Sequence, residues 1–426
     1  MTDSAAGTLQ LLPFRAVRYN PSVSDLAAVI APPYDVIDEA EQQALEAKDP
    51  HNVVRLILPR DVHDAGDRYV HAAQTFDDWL DDATLIVDEA PALYVYQQSR
   101  AGIVVQRGLL GAIVMQPLDG GVILPHEKVR PGPVEDRLAL MRAMRANPEP
   151  IFLLYDGGGD ATAICETVAA RAPLVSAVTP DAITHELWAI TNPDDLRAIA
   201  ADLAGRHAMI ADGHHRYTTY GYLRDELHSA GEGDGPWDAG LTLLVDDSVA
   251  VPDIRAIHRV LPGLTLDAAV GAAAAAFRVT PLGAAVRDVA AALDVLATHG
   301  GPAFLVTDGQ SFALLLDPDA DQLAAAKPAD RTSAWWALDA SIASDFVMAG
   351  LWGITDAPGQ VEAEHDPAAA VRLAQKTDGI ALLLNPASLA GVLAVAVAGD
   401  AMPRKSTLFL PKPRSGMVMR AFRFDG

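Results

Sequence analysis

Residues 208–228 read AMIADGHHRYTTYGYLRDELH. The apolar run Ala208 to Asp212 predicts a strand, Gly213 a sharp turn, and the stretch from about His215 to His228 an amphipathic helix. A strand that stops in a glycine directly ahead of a helix exposes backbone N–H groups and the positive end of the helix dipole. Here His214, His215 and Arg216 add two imidazoles and a guanidinium at the same place, which makes an anion site suited to the phosphates of a nucleotide. The alternative is that Asp212 caps the helix and the two histidines are satisfied by neighbouring carbonyls. Asp212, His214 and His215 make a poor metal set, because adjacent residues do not converge on one ion without distant partners, so no metal ligands are assigned.

Two further segments carry chemistry. Leu124-Pro125-His126-Glu127-Lys128 places Glu127 between a strand and a helix, where a carboxylate can face a cleft and act as general base; a solvated loop residue is the alternative. The run from Met402 to Gly416 gathers Arg404, Lys405, Lys412 and Arg414 around Ser406 and Thr407. It predicts a second phosphate or carboxylate contact, or cations that pair with the protein's own acidic surface. Ala31 to Ile37 is a proline-stiffened turn that reads first as structural, with Tyr34 and Asp35 able to line a site as the alternative.

Around these motifs the chain reads as hairpins mixed with helices. A helix is expected over Arg68–Leu80, and strands over Leu93–Gln98 and Leu109–Gln116. A second helix over Pro133–Arg145, with acids in its first turn and Arg142 and Arg145 in its last, should pack on a strand over Pro150–Tyr155. Later strands are expected at 241–245, 303–307, 312–316, 379–384 and 393–397, with linkers or loops at 317–333 and 355–368. The fold class is therefore α+β with mixed sheets, divided near residue 265 into an N-terminal region, 1–265, and a C-terminal region, 266–426.

The 426 residues are half hydrophobic, which excludes wholesale disorder. Lys and Arg total 32 against 56 for Asp and Glu, a net charge of −24. A surface that acidic repels phosphate backbones and anionic lipids, so neither nucleic acid nor membrane is an expected partner. No apolar run approaches the roughly 20 residues needed to span a bilayer. The N-terminus lacks a basic stretch ahead of an apolar one, and the single cysteine, Cys165, forbids internal disulfides and reads as packing. A cytoplasmic protein is expected, with a homodimer left open. The phosphate-loop, dinucleotide-fold, nucleophile-elbow and zincin signatures are missing.

Taken together, LPFRAVRYNP at 12–21, APPYDVI at 31–37, HNVVRLILP at 51–59, the 124–155 stretch, IADGHHRYTTYGYLRDE at 210–226 and MPRKSTLFLPKPRSG at 402–416 resemble the DUF1015 family. More remotely, the P-H-E loop and D-G-H-H-R turn look like those of the free-serine kinases in the ParB and sulfiredoxin superfamily. That resemblance implies a ParB/sulfiredoxin-like core with large additional α/β regions. It implies a nucleotide-dependent phosphotransferase using ATP or ADP and Mg²⁺ on a small hydroxylated metabolite such as free serine; a nucleotide-binding sensor or adaptor without turnover is the other reading. Glu127 would be the base and Asp212 would orient the phosphates or a metal ion. Gly213, His214, His215, Arg216, Lys405, Ser406 and Lys412 would hold the nucleotide, and Tyr34, Asp35, His126 and Arg137 the substrate.

Overall fold

The computed structural model describes residues 7–61, 67–250, 252–283, 286 and 288–425; the first six residues of the N-terminal stretch read above lie outside them. The protein is α+β. It forms two compact units, the first made of 1–125, 129–252 and 411–426, the second of 126–128 and 253–410. The chain thus leaves the first unit at Pro252 and returns to it at Pro411, where the sequence suggested one division near 265 and a wholly C-terminal second region. The difference arises because residues 411–426 pack in the first unit's core, through Met419 and Ala421 in one cluster and Phe422 in another.

The first unit is built on a nine-stranded mixed sheet. Its strands are β1 (Leu11–Leu12), β2 (Leu93–Arg100), β3 (Ile103–Val114), β4 (Ile123–Leu124), β5 (Ile151–Tyr155), β6 (Val175–Val178), β7 (Ile183–Ile190), β8 (Ala208–Asp212) and β9 (Ala239–Asp246). The order is β4-β8-β5-β9-β3-β2-β7-β6, with β1 added on β3. Strands β2 and β3 are joined through Ala101 and Gly102, both at positive φ, as a tight two-residue hairpin requires. Alternate residues Leu93, Val95, Leu109 and Ile113 join Ile151, Leu153, Ile210 and Leu244 in one apolar core.

Five helices matter to the site: α1 (Arg68–Asp81), α2 (Pro131–Met144), α3 (Asp160–Ala169), α4 (Pro193–Leu203) and α5 (His214–Ser229). Helix α2 begins at Pro131, whose fixed φ and missing N–H suit a first helical position, and ends at Arg145 in the left-handed conformation. It packs against α1 and α5, where the sequence suggested β5. Leu138 and Met141 do enter the sheet's core, while Leu140 and Met144 point into a second cluster with Phe76 and Trp79. Its two apolar flanks thus serve two cores. Cys165 on α3 is buried, and burial pushes its thiol up to about 12.

The second unit holds a six-stranded antiparallel sheet in the order 278–281, 312–316, 304–307, 380–384, 258–261, 362–364. Phe304, Val306, Leu382 and Leu384 enter one cluster, and the alternating Leu305, Leu383 and Val260 another, so both faces are covered. The expected strand at 393–397 is instead part of a helix, Leu389–Val397. The Ser388 hydroxyl caps Gly391 N–H at 3.1 Å, and alanines at 390, 394 and 396 favour that helix over the β-branched signal. The supposed linkers also carry structure, a helix over Ala320–Ala326 and a strand over Glu362–Glu364. No helix among the described residues is long and apolar enough to cross a membrane.

Candidate functional site

At the end of β8, Asp212 stands directly before Gly213, which adopts φ +93 and starts the 16-residue helix α5. A side chain there would be strained, and a Cβ would lie 3.1 Å from Arg216 Nε, so the turn rests on the guanidinium beneath it. Arg216 is 1 % exposed and turned inward. Its Nη2 donates to Asp212 Oδ2 at 2.5 Å and its Nη1 to the Pro150 carbonyl at 2.6 Å. Burial alone would lower its pKa, but the carboxylates of Asp212, Glu149 and Asp35 raise it. Arg216 therefore braces the turn from below. Asp212 pairs sideways with this arginine one helical turn on.

The other oxygen of Asp212 takes a second cation. Lys412 Nζ donates to Asp212 Oδ1 at 2.7 Å and to Asp35 Oδ2 at 2.8 Å. Desolvation would depress this ammonium, yet Asp212 and Asp35 outweigh it and hold the pKa above the usual lysine value. Asp35 lies on the short turn 34–36, so three segments far apart in sequence, 34–36, 212–216 and 411–415, meet at one ammonium. His214 is buried. His215 Nε2 accepts the Arg130 N–H at 3.1 Å, and burial and then Arg130 lower its pKa, so it is a neutral acceptor.

Tyr34 and Arg137 lie beside this cluster. The Arg137 guanidinium stacks 4.2 Å from the Tyr34 ring centroid and the Arg216 guanidinium is 5.9 Å away. Burial pushes the Tyr34 phenol up to about 12. Arg137 is 2 % exposed and its donors go to Asp136 Oδ2 at 2.6 and 2.9 Å and to the Ile57 carbonyl at 2.5 Å. Like Arg216, it serves the framework.

Two features were not read from the sequence. Glu149, between Pro148 and Pro150, is 2 % exposed; its Oε1 accepts the Tyr34 N–H at 3.0 Å and the Ser415 hydroxyl at 2.9 Å. A charged residue between two prolines ahead of an apolar strand was the signal available. The second feature is a closed ring of polar contacts: Tyr96 Oη to His185 Nδ1 at 2.8 Å, His185 Nε2 to Thr179 Oγ1 at 2.9 Å, Thr179 to Asp181 at 2.5 Å, Asp181 to Arg414 Nη2 at 2.6 Å, and Arg414 N–H back to Tyr96 Oη at 3.3 Å. The single Thr179 proton goes to Asp181, so His185 donates from Nε2 and accepts at Nδ1, which is the neutral form. Burial first, then Arg414, pushes His185 down to about 4. The ring, with Gln98 Nε2 donating to the Lys412 carbonyl at 3.2 Å, fixes the segment that carries Lys412.

The remaining expected residues fall in the second unit. There His126 Nε2 lies 3.3 Å from Thr407 Oγ1, its ring packs on Phe409, and its carbonyl accepts Met402 N–H at 2.8 Å. Glu127 follows it, half-buried. Ser406 Oγ donates to the Pro403 carbonyl at 2.7 Å, and Lys405 is left-handed at φ +52. Asp356 gathers Arg259 and Arg404 at 2.8 Å each, and Arg259 also holds the carbonyls of Arg404 and Lys405. Asp356 thus takes up part of the basic run's charge.

The sequence matches, over residues 11–341, the family described as "Protein of unknown function (DUF1015)". The chain belongs to the DUF1015 family. Among solved structures, this DUF1015 member is similar to a free serine kinase in complex with AMP, at 11 % identity and a TM-score of 0.34, covering 72 % of this chain and 88 % of that one. It is also similar to C-terminally truncated SbnI from Staphylococcus aureus, at 13 % identity and TM-score 0.35, covering 72 % and 86 %. A third is a conserved hypothetical protein from Pyrococcus furiosus, at 10 % identity and TM-score 0.33, covering 74 % and 96 %. Comparison with curated proteins finds no match.

Proposed function

We propose that this protein is a nucleotide-dependent phosphotransferase that uses ATP or ADP with Mg²⁺ to phosphorylate a small hydroxylated metabolite, free serine being the first to test. The observation that carries the reading is Lys412 Nζ, held between Asp212 and Asp35 beside the Gly213 turn that opens α5. Phosphoryl transfer is mainly positioning and charge neutralisation, so cations and N–H donors assembled on a rigid strand end are the parts it needs. Gly213, His214 and His215 would present the helix end to the phosphates while Arg216 holds the turn from beneath. Asp212 gives one oxygen to Arg216 and the other to Lys412, which also holds Asp35, so these carboxylates do not form a free Mg²⁺ site and the ion would arrive with the nucleotide phosphates. Mg²⁺, when bound, would neutralise phosphate charge. Glu127 would take the proton of the substrate hydroxyl as its oxygen bonds to the terminal phosphorus and the nucleoside di- or monophosphate leaves.

One observation favours a second reading, a nucleotide-binding sensor without turnover. The cations of the first unit's cluster are already neutralised, Arg216 by Asp212 and Lys412 by Asp212 and Asp35. A thermal-shift panel of ATP, ADP, CTP and GTP, with and without Mg²⁺, tests both. A nucleotide at 100 times its Kd should add roughly 2.7 kcal/mol of stability to the wild type and markedly less to Lys412→Ala. Lys412 is the better target than Arg216, whose loss would strip the Pro150 carbonyl and Asp212 of a buried donor. With the kinase, Glu127→Ala keeps the shift and loses about 10²-fold or more of turnover. With the sensor no substrate alcohol is phosphorylated by either protein. If no nucleotide raises the melting temperature, both readings fall.

A further inference from the structure

We propose that Glu149 is a positioning residue of this site, a group that helps set Asp35 and Lys412 against Asp212, beside the polar ring that holds the Lys412 segment and the backbone pair of Ala31 with Ser415. The inference rests on reading Asp35, Lys412 and Asp212 as the site. Glu149 lies two residues before β5, between prolines that stiffen its backbone. It is a carboxylate 2 % exposed, with Arg137 Nη1 3.7 Å from Oε2 as its ion-pair partner. Burying a charge on so distant a pairing is costly unless its hydrogen bonds are good, and Oε1 accepts two of 2.9 and 3.0 Å from separate segments. One comes from the backbone of Tyr34, the residue before Asp35. The other comes from Ser415, three residues after Lys412. The Glu149 carbonyl also accepts the Tyr220 hydroxyl at 2.8 Å, which ties the same residue to α5, the helix that Asp212 and Gly213 precede. Every segment that supplies a charged group to the Lys412 bridge is therefore anchored on Glu149, although Glu149 touches none of the three charges itself. A packing role alone needs no such convergence on a single oxygen.

The test reads the position of Lys412 directly and uses no nucleotide, so its failure is separable from failure of the phosphotransferase reading. Full-length protein is acylated with a limiting amine reagent at neutral pH and the rate at each lysine is followed by mass spectrometry, with exposed Lys376 as internal reference. In the wild type, Lys412 reacts far more slowly than Lys376, being 10 % exposed and paired twice. In Glu149→Ala, Lys412 alone is expected to react several-fold faster, because its segment is released from Asp35 and Asp212 and the amine gains exposure. Glu149→Gln keeps an acceptor for Tyr34 and Ser415 and is expected to stay near the wild-type rate. Unchanged Lys412 labelling in folded Glu149→Ala overturns the proposal, as does a parallel rise at Lys376 and Lys412, which marks general loosening. If Glu149→Ala does not fold, Ser415→Ala decides: faster labelling confined to Lys412 supports the anchor, and an unchanged rate overturns it.

Discussion

Gly213 holds φ +93 with a guanidinium under its missing side chain. Gly213→Ala is expected to lower stability by about 1–2 kcal/mol through the left-handed backbone alone, and to weaken any nucleotide shift as Arg216 gives way; calorimetry beside the nucleotide panel checks both. The DGHHR pattern made this turn legible, because the conformational freedom of glycine and the strand-to-helix switch are local properties. The direction of Arg216 was not legible. Four residues after Asp212 on a helix, it pairs back to that acid and inward to Pro150, so it braces the turn where the motif suggested a phosphate contact. His185 and His258 yield a pH prediction. Burial holds both near 4, below the ordinary value of 6.5, so the unfolded chain binds their protons first. Stability should rise with pH through this range and be lost as pH falls from about 6.5 towards 4, by up to about 3 kcal/mol for each histidine. Melting curves across that range, with His185→Gln expected to flatten the slope, test it; a flat wild-type profile would refute the neutral ring.

Helix α1, strands β5 and β8 and helix α5 lie within a residue or two of where periodicity and capping place them. Each combines a strong internal pattern with an end signal: Asp67 caps α1, and Gly213 breaks β8 from α5. The helix over Leu389–Val397 has no such internal pattern. Its apolar residues run almost without interruption, so neither period stands out, and the Ser388 cap together with alanine propensity decides for helix. Helix α2 shows a different limit. Its extent was legible to within two residues from Pro133 and the basic last turn, but its packing against α1 and α5 depends on two apolar flanks meeting two separate cores, which no single helical stripe encodes.

Across the whole molecule, the return of the chain at Pro411 has the largest consequence. The last sixteen residues bring Lys412 to Asp212, pair Arg420 with Asn147, and bury Met417, Val418, Met419 and Phe422 in the first unit. A chain ending at Leu410 loses these large buried side chains at roughly 1.5–3 kcal/mol each, which together approach the whole stability of an ordinary domain. It is expected to lose cooperative melting of the first unit, seen by calorimetry; an unchanged transition would show that unit to be self-sufficient without its C-terminal segment. The local order of the chain alone determined the α+β class, most strands and helices, the glycine turn and the acidic surface, because these follow from spacing, propensity and charge count. The tertiary structure decided which charged groups meet. Lys412 joins Asp35, Glu149 and Asp212 only after the chain has made a separate unit and come back, and burial then selects which cations stay inside the framework.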